Sequence, residues 1–512
     1  MKVGYMKQNI LPLQSKDYEI LNEANEIALD FTAFDLNRSV FVAPTLAVIG
    51  NGQLCEDFLN FCTKQNSCKL SITHLLPQDF VRLSGHLGDF KIYFKDTSHR
   101  IDTLCIAQVV SFAHLENLFA YKGIHLANAY SDAASMFQAV VDFIGEYAYR
   151  QNIIFNPSVC QYQDRRPLEN GEGFCHYCVD VCPTMGIAKD DTTMLLSTSP
   201  IDCIGCGKCV CVCPTGSVQK EGDTLESFTY RARLYKDRIP LIVSSSQWAN
   251  EENLPTFNTL LSSQPLALPF VIDVPNMLNE TYLLTLIQET GAPVVIFGEI
   301  DELVIECVES LNVICEKIFG RKGVIFGDSL KDIDSLILMP HWHYLYTPNA
   351  KEGVKDIFSA RLQSWVKQES FGSVSMKGFG EVKVDASKCT LCLSCVEACN
   401  THALINQTSS FELLFKASLC TDCGYCVPTC AENVITLESR TFDLSPVSFE
   451  YVSKAQDKPF RCVECNKIFA THKSIEKIKA ILSPAFQSNP SKLRSLECCA
   501  DCKVKVMFEV AK

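Results

Sequence analysis

Short apolar runs rich in Val, Ile and Phe recur in two regions of this chain, each bounded by Gly, Pro or polar residues. FVAPTLAVIG (41–50) reads as a strand that ends in the turn Gly50-Asn51-Gly52, and QLCEDFLNFC (53–62) then repeats its apolar positions at helical spacing. KLSITHLL, DFKIYFK and IDTLCIAQVV are further strand candidates, so residues 1–150 are expected to form an α/β domain. The alternation returns at 238–340. IPLIVSS, PFVIDV, PVVIFG and GVIFG are β-branched runs, interleaved with the amphipathic helices MLNETYLLTLIQE and DELVIECVESLNVICEKI. Continuous apolar strands alternating with helices predict a parallel sheet with helices on its faces. A helical linker is expected at 341–380.

Elsewhere the periodicity gives way to cysteine. The chain has 512 residues and 28 cysteines; 21 lie in tight clusters and seven are scattered. The N-terminus MKVGYMKQNILPLQ lacks the apolar core of an export signal, and no apolar run reaches the ~18–20 residues that cross a bilayer. A cytoplasmic location is expected, where clustered cysteines hold metal rather than pair as disulfides.

The clusters share one design. CIGCGKCVCVCPTGSV places Cys203, Cys206, Cys209 and Cys213 as C-x2-C-x2-C-x3-C. CTLCLSCVEACNTHAL repeats it with Cys389, Cys392, Cys395 and Cys399, and CTDCGYCVPTCAENVI with Cys420, Cys423, Cys426 and Cys430. GEGFCHYCVDVCPT has Cys175, Cys178 and Cys182, but Glu172 stands where the first cysteine belongs. Five residues after each final cysteine comes Ile187, Val218, Leu404 or Ile435. Cys182 and Cys203 are 21 positions apart, as are Cys399 and Cys420, so the loops form two pairs and read as an internal duplication. A short C-x2-C-x2-C loop curls around a metal cube and offers it three thiolates. Glycines at Gly205, Gly207 and Gly424 permit close backbone approach.

Each pair resembles a bacterial ferredoxin with two [4Fe-4S] clusters, over about 160–222 and 382–440. That resemblance implies two ferredoxin-like α+β modules, at 155–225 and 382–440, in which the last cysteine of each loop serves the other cluster. Carried over, it implies the sets Cys203, Cys206, Cys209 with Cys182; Cys389, Cys392, Cys395 with Cys430; and Cys420, Cys423, Cys426 with Cys399. The remaining set, Cys175, Cys178 and Cys213, lacks a ligand. Cys160 is the first candidate, because thiolate suits iron better than carboxylate does. Glu172 and Cys211 are the others, and a free Cys160 beside an incomplete site is the remaining possibility. Paired zinc ribbons would leave the third cysteine of each loop unexplained.

Other features refine this picture. The two α/β segments are expected to be Rossmann-like. Gly50-Asn51-Gly52 lacks the third glycine of a dinucleotide loop, since Cys55 stands there, and a plain strand–helix turn is expected. Cys55, Cys62, Cys68 and Cys105 read as core residues. Residues 238–340 are similar to the small iron–sulfur subunit of methanogen-type hydrogenase and heterodisulfide reductase assemblies. That subunit's cluster cysteines are unmatched, because Cys307 and Cys315 lie in one helix, so a clusterless docking domain is expected. His341 and His343 lack partners that would complete a metal site. At 455–512, Cys462, Cys465, Cys499 and Cys502 fit a four-thiolate zinc-ribbon-like tail, with Cys498 or His472 as substitute ligands and a rubredoxin-like iron as the other metal. The order of parts resembles bacterial cytoplasmic 4Fe-4S proteins found alongside formate dehydrogenase and TorD-type chaperones.

A formal charge of −13 disfavours nucleic acid as a partner and suits soluble redox proteins with basic patches. No nucleophile elbow, phosphate loop or HExxH is present, so an enzyme with its own substrate site is not expected. The sequence points to an electron carrier with about four [4Fe-4S] clusters and one zinc. The alternative is an iron–sulfur accessory or assembly factor for a molybdenum or tungsten oxidoreductase such as formate dehydrogenase. A flavin or nicotinamide subunit using Gly50–Gly52 is a third reading.

Overall fold

A computed structural model of the chain describes residues 12–33, 36–65, 69–96, 98–115, 121–168, 170–327, 336–348 and 352–508. It is a mixed α/β protein with two parallel sheets. Among the described residues, no helix is long and apolar enough to cross a membrane.

The first parallel sheet runs Ser71–Leu75, Thr45–Ile49, Gln108–Ser111, Ile124–Leu126 in spatial order. Successive strand residues point to opposite faces. Leu46 and Val48 therefore pack on the helices Gln53–Lys64 and Ala133–Val141, while Ala47 and Ile49 face the other way. That second face is covered by an antiparallel sheet of Phe80–His86, Asp89–Lys95 and Ile101–Ile106 rather than by helices. The Rossmann-like expectation needs this correction. The connection from His86 to Asp89 is only Leu87-Gly88, with Gly88 at φ 89°, and so short a loop can join only antiparallel strands. Two expected strands also divide. FVAPTLAVIG breaks at Ala43-Pro44, where Pro lacks a ladder N–H, and Asn37–Val42 pairs with Gly145–Arg150. IDTLCIAQVV splits at Ala107 between the two sheets.

The second parallel sheet runs Ala267–Ile272, Ile239–Ser244, Val294–Ile296, Val324–Phe326. Leu241 and Val243 meet the helix Leu254–Ser263, and Ile242 faces the large core with the helices Glu280–Thr290 and Glu302–Phe319. Sequence sets the helix ends. Asn279 accepts from the N–H groups of Thr281 and Tyr282, and Gly291 closes the helix at φ 68°.

Two further sheet pairs share one plan. An outer pair, Ile153–Phe155 with Val218–Lys220, encloses the hairpin Ile187–Asp190/Leu195–Thr198. Farther along, Ser373–Val384 with Ile435–Asp443 encloses Leu404–Gln407/Glu412–Phe415. The segment expected as a linker carries the helix Val354–Val366, which packs between Glu280–Thr290 and the second of these units.

That helix is fixed by a buried ion pair. The Arg361 guanidinium lies 2.6 Å from the Glu289 carboxylate, both fully buried, and Arg233 reaches Glu289 from the other side at 3.3 Å. Removing Arg361 leaves the buried Glu289 carboxylate with only the longer contact to Arg233, and losing one member of a buried pair costs up to about 3–5 kcal/mol. Arg361→Met is expected to lower the thermal midpoint followed by circular dichroism by several degrees, and adding Glu289→Met should restore most of it.

Candidate metal centres

The cysteine loops have a common backbone. In three of them the residues just before and just after the second cysteine are left-handed: Gly205 and Gly207 (φ 71° and 81°), Leu391 and Leu393 (56° and 65°), Asp422 and Gly424 (56° and 73°). Non-glycine residues lose about 1–2 kcal/mol in that conformation, so the loop must impose it. A Cβ on Gly207 would lie 2.9 Å from Val274 and 3.0 Å from the Met277 nitrogen, which explains glycine there. All four loops leave the final cysteine through a left-handed residue three positions on: Met185, Gly216, His402 and Asn433. Two residues later the aliphatic residues Ile187, Val218, Leu404 and Ile435 begin strands and are buried. The spacing repeat is thus a backbone repeat.

The loop at Cys175 is the exception. His176 has φ −136°, and Phe174 is not left-handed. Upstream of it stands a backbone counterpart of the first element of the other loops. A single 3-10 turn, Pro157–Val159, delivers Cys160 at φ −68°, ψ 137°; the turn Ala417–Leu419 delivers Cys420 at φ −68°, ψ 134°. The Tyr162 N–H donates to the Cys160 sulfur at 3.4 Å, as the Gly205 N–H does to Cys203 at 3.4 Å. Cys160 is buried at 8% exposure. Glu172 is exposed and its carboxylate accepts from Asn170 at 2.9 Å. Cys211 turns away, donating to the Leu278 carbonyl at 3.1 Å. A sequence signal for Cys160 exists: IIFNPSVC (153–160) parallels LLFKASLC (413–420), position for position in apolar character and in Ser158 and Ser418.

The fold brings the sulfurs together in crossed sets. One cavity is lined by Cys389, Cys392, Cys395 and Cys430, and another by Cys399, Cys420, Cys423 and Cys426. Cys182, Cys203, Cys206 and Cys209 are electrostatic neighbours, as are Cys160, Cys175, Cys178 and Cys213. Burial pushes the Cys395 and Cys420 thiols up to about 12, with adjacent sulfurs adding to it. Burial raises Cys175, Cys178, Cys209 and Cys426 as well. Such groups ionise only beside a strong positive charge, which a metal centre supplies. Backbone N–H groups already aim at the sulfurs of Cys389, Cys420 and Cys423. The donor chemistry therefore fits iron–sulfur groups. These sets are too wide for a single ion, since among the described residues only one group of ligand atoms lies within 4.8 Å of one another.

That group is Cys462, Cys465, Cys499 and Cys502. Four thiolates ~2.3 Å from one zinc sit about 3.8 Å apart, and the Cys465 and Cys499 sulfurs are 3.6 Å apart. Cys462 and Cys465 occupy the turn of the hairpin Pro459–Arg461/Ile468–Thr471, and Cys499 and Cys502 the start of the helix Ala500–Phe508. Burial opposes ionisation of Cys462, but N–H groups of Cys499, Cys465 and Glu464 outweigh it and bring the thiol down to about 6. Cys498 instead donates to the Arg494 carbonyl at 3.4 Å, and His472 lies 3.6 Å from Glu476.

The remaining candidates are structural. Cys55 and Cys62 are buried, but Cys105 is exposed on an outer strand, which corrects the core reading for it. Cys68 lies outside the described residues. The Gly50 turn is closed by Phe112, whose Cβ a side chain at Gly50 would meet at 2.7 Å. His341 packs on Phe319 with ring centroids 5.5 Å apart.

The sequence could not reveal how the two cysteine-loop units meet. Gln161 donates to Thr421 and to Asn400, Arg165 to the Ala398 carbonyl at 3.3 Å, and the Phe174 and Tyr425 rings are 4.2 Å apart. Tyr177 feels the charge of Cys423, Cys178 that of Cys209, and Cys426 that of Cys395. The sets consequently stand in a row: that of Cys203, that of Cys175, that of Cys420, that of Cys389.

Residues 381–431 match the family of the 4Fe-4S dicluster domain. No curated protein matches the chain. At least one 4Fe-4S centre therefore belongs to this region, in a ferredoxin-type domain.

Two outcomes test these sites. Anaerobically purified protein should hold about sixteen irons, and Cys160→Ser about twelve or a three-iron EPR signal, by metal and sulfide analysis. Wild-type protein should bind about one zinc per chain, and Cys499→Ser should bind none and fray the tail helices, seen as faster proteolysis beyond residue 458.

Proposed function

We propose that the protein is an iron–sulfur electron carrier of the cytoplasm. It binds four [4Fe-4S] clusters through Cys160, Cys175, Cys178 and Cys213; Cys182, Cys203, Cys206 and Cys209; Cys389, Cys392, Cys395 and Cys430; and Cys399, Cys420, Cys423 and Cys426. A zinc at Cys462, Cys465, Cys499 and Cys502 anchors the tail. Two repeated dicluster modules account for the shared strand plan and the shared loop backbone. Each cluster, when bound, stores and releases one electron.

The observation that carries the reading is the contact between the two cysteine-loop units. Gln161, Arg165 and Phe174 hold the first module against the loop of Cys420 and Tyr425. The chain itself thereby closes the gap between pairs that would otherwise be isolated. Each end of the row has one point open to solvent: Cys392 is exposed in one terminal set, and Ile204 beside Cys203 is 57% exposed in the other. Those two points are where soluble redox proteins would meet the chain, and their basic patches would suit its acidic charge.

The test is a transfer measurement. Wild-type protein should show an iron–sulfur spectrum without flavin bands, and dithionite should bleach that spectrum by about four electrons, one for each cluster. Arg165→Ala combined with Phe174→Ala should keep the iron content yet slow passage between a donor and an acceptor several-fold in stopped flow. Unchanged rates would remove the row from the mechanism, and flavin bands would replace the carrier reading with an enzyme.

A further inference from the structure

Between the two modules and the second parallel sheet lies a cavity lined by Cys211, Cys213, Glu280, Cys307, Lys355 and Lys377, among others. Two of its cysteines have no place in any cluster set. Cys211 sits in the short helix Lys208–Val212, and Cys307 in the helix Glu302–Phe319. Their sulfurs are 3.9 Å apart. We propose that Cys211 and Cys307 are a redox-active pair that interconverts between two thiols and a disulfide, storing two electrons beside the one-electron centres. The proposal rests on the carrier reading above.

Three features converge on it. The first is reach. A disulfide needs an S–S distance of ~2.05 Å, so each sulfur has to move only about 1 Å. Among the described residues, the Cys211 thiol otherwise donates to the Leu278 carbonyl. The second is position. Cys211 lies between Cys209 and Cys213, which belong to different sets, and Lys355 on the cavity wall feels the charge of Cys420 in a third. One-electron carriers thus surround a two-electron pair. The third is proton supply. Reduction consumes two electrons and two protons: the S–S bond breaks, each sulfur takes one electron and one proton, and two carrier centres are oxidised by one electron each. The Glu280 carboxylate lies against the Cys307 thiol inside the cavity, where burial raises it above the usual carboxylate range. It can hold a proton there. The half-exposed Lys377–Glu306 pair, 3.2 Å apart, marks the side from which solvent reaches the cavity.

Anaerobic protein should be poised oxidised with a redox dye or reduced with dithionite, denatured near neutral pH in excess N-ethylmaleimide, where the thiolate that reacts is available, and peptide-mapped by mass spectrometry. The expected result is a Cys211–Cys307 linked peptide after oxidation and maleimide on both residues after reduction. Cys307→Ser, with unchanged iron and sulfide, should take up two fewer electrons in a dithionite titration. Cys307→Ala is the second variant, and the wild-type map decides regardless of either. Maleimide on both cysteines in both states, with iron content and EPR intact, would overturn the pair and leave the carrier standing. Protein without reducible centres would overturn the carrier reading, and a linkage found in it at both poises would be a static cross-link, which also overturns the exchange.

Discussion

Four thiols brought to one point in an apolar interior repel one another as soon as they ionise, and the fold around them is organised by that cost. Burial first, and then the adjacent sulfurs, bring Cys395 and Cys420 up to about 12. At Cys395 and Cys420 the peptide N–H groups leave most of that penalty standing, because each contributes a partial charge only. A bound cationic centre offsets it. Consequently the cysteine loops can afford left-handed Leu391, Leu393 and Asp422: metal binding supplies free energy that local backbone preference does not have to match.

The scaffold resists the same kind of cost elsewhere by pairing. Glu289 is fully buried and meets both Arg361 and Arg233. This triad joins the second parallel sheet to the helix Val354–Val366, and Ser359 of that helix bonds Ser418, two residues before Cys420. Lys355, one turn earlier on the helix, donates to the Gly378 carbonyl at 2.7 Å and is lowered to about 7 by burial. The second parallel-sheet segment is thereby coupled mechanically to the cysteine loops and forms the wall on which they are set.

Much of this was legible in the residues, and the exceptions have physical causes. Cysteine spacing carried the loops because thiolate geometry leaves little freedom, and continuous β-branched runs carried the second parallel sheet because strands buried on both faces need them. The antiparallel layer at Phe80–Ile106 was misread because strand composition says nothing of direction, and the informative residues were the two of a tight turn. Leu391 and Leu393 gave no hint of their left-handed backbone, since glycine is the only residue that advertises it. The parallel between IIFNPSVC and LLFKASLC was available in the sequence, but it lies before the cysteine, outside the motif that spacing searches for. Contacts between modules had no sequence signature at all, being a few polar and aromatic side chains on one surface.

The displaced cysteine and the contact between modules are two consequences of one change. In the other three loops two residues separate the first cysteine from the second, and in the proposed first set fourteen separate Cys160 from Cys175. Those added residues include Gln161, Arg165, Arg166 and Phe174, each of which touches the second module. A loop of the ordinary length could not present them, because its residues are spent wrapping the metal. With Cys160 as the proposed first ligand, the segment between ligands is free to leave the site, dock and return, and a thiol at each end would keep it fixed. Loop closure over so short an excursion costs about as much as an ordinary surface turn, since closure entropy grows only with the logarithm of length. What looks in the sequence like a broken motif is, in this arrangement, the element that aligns one pair of sites with the other.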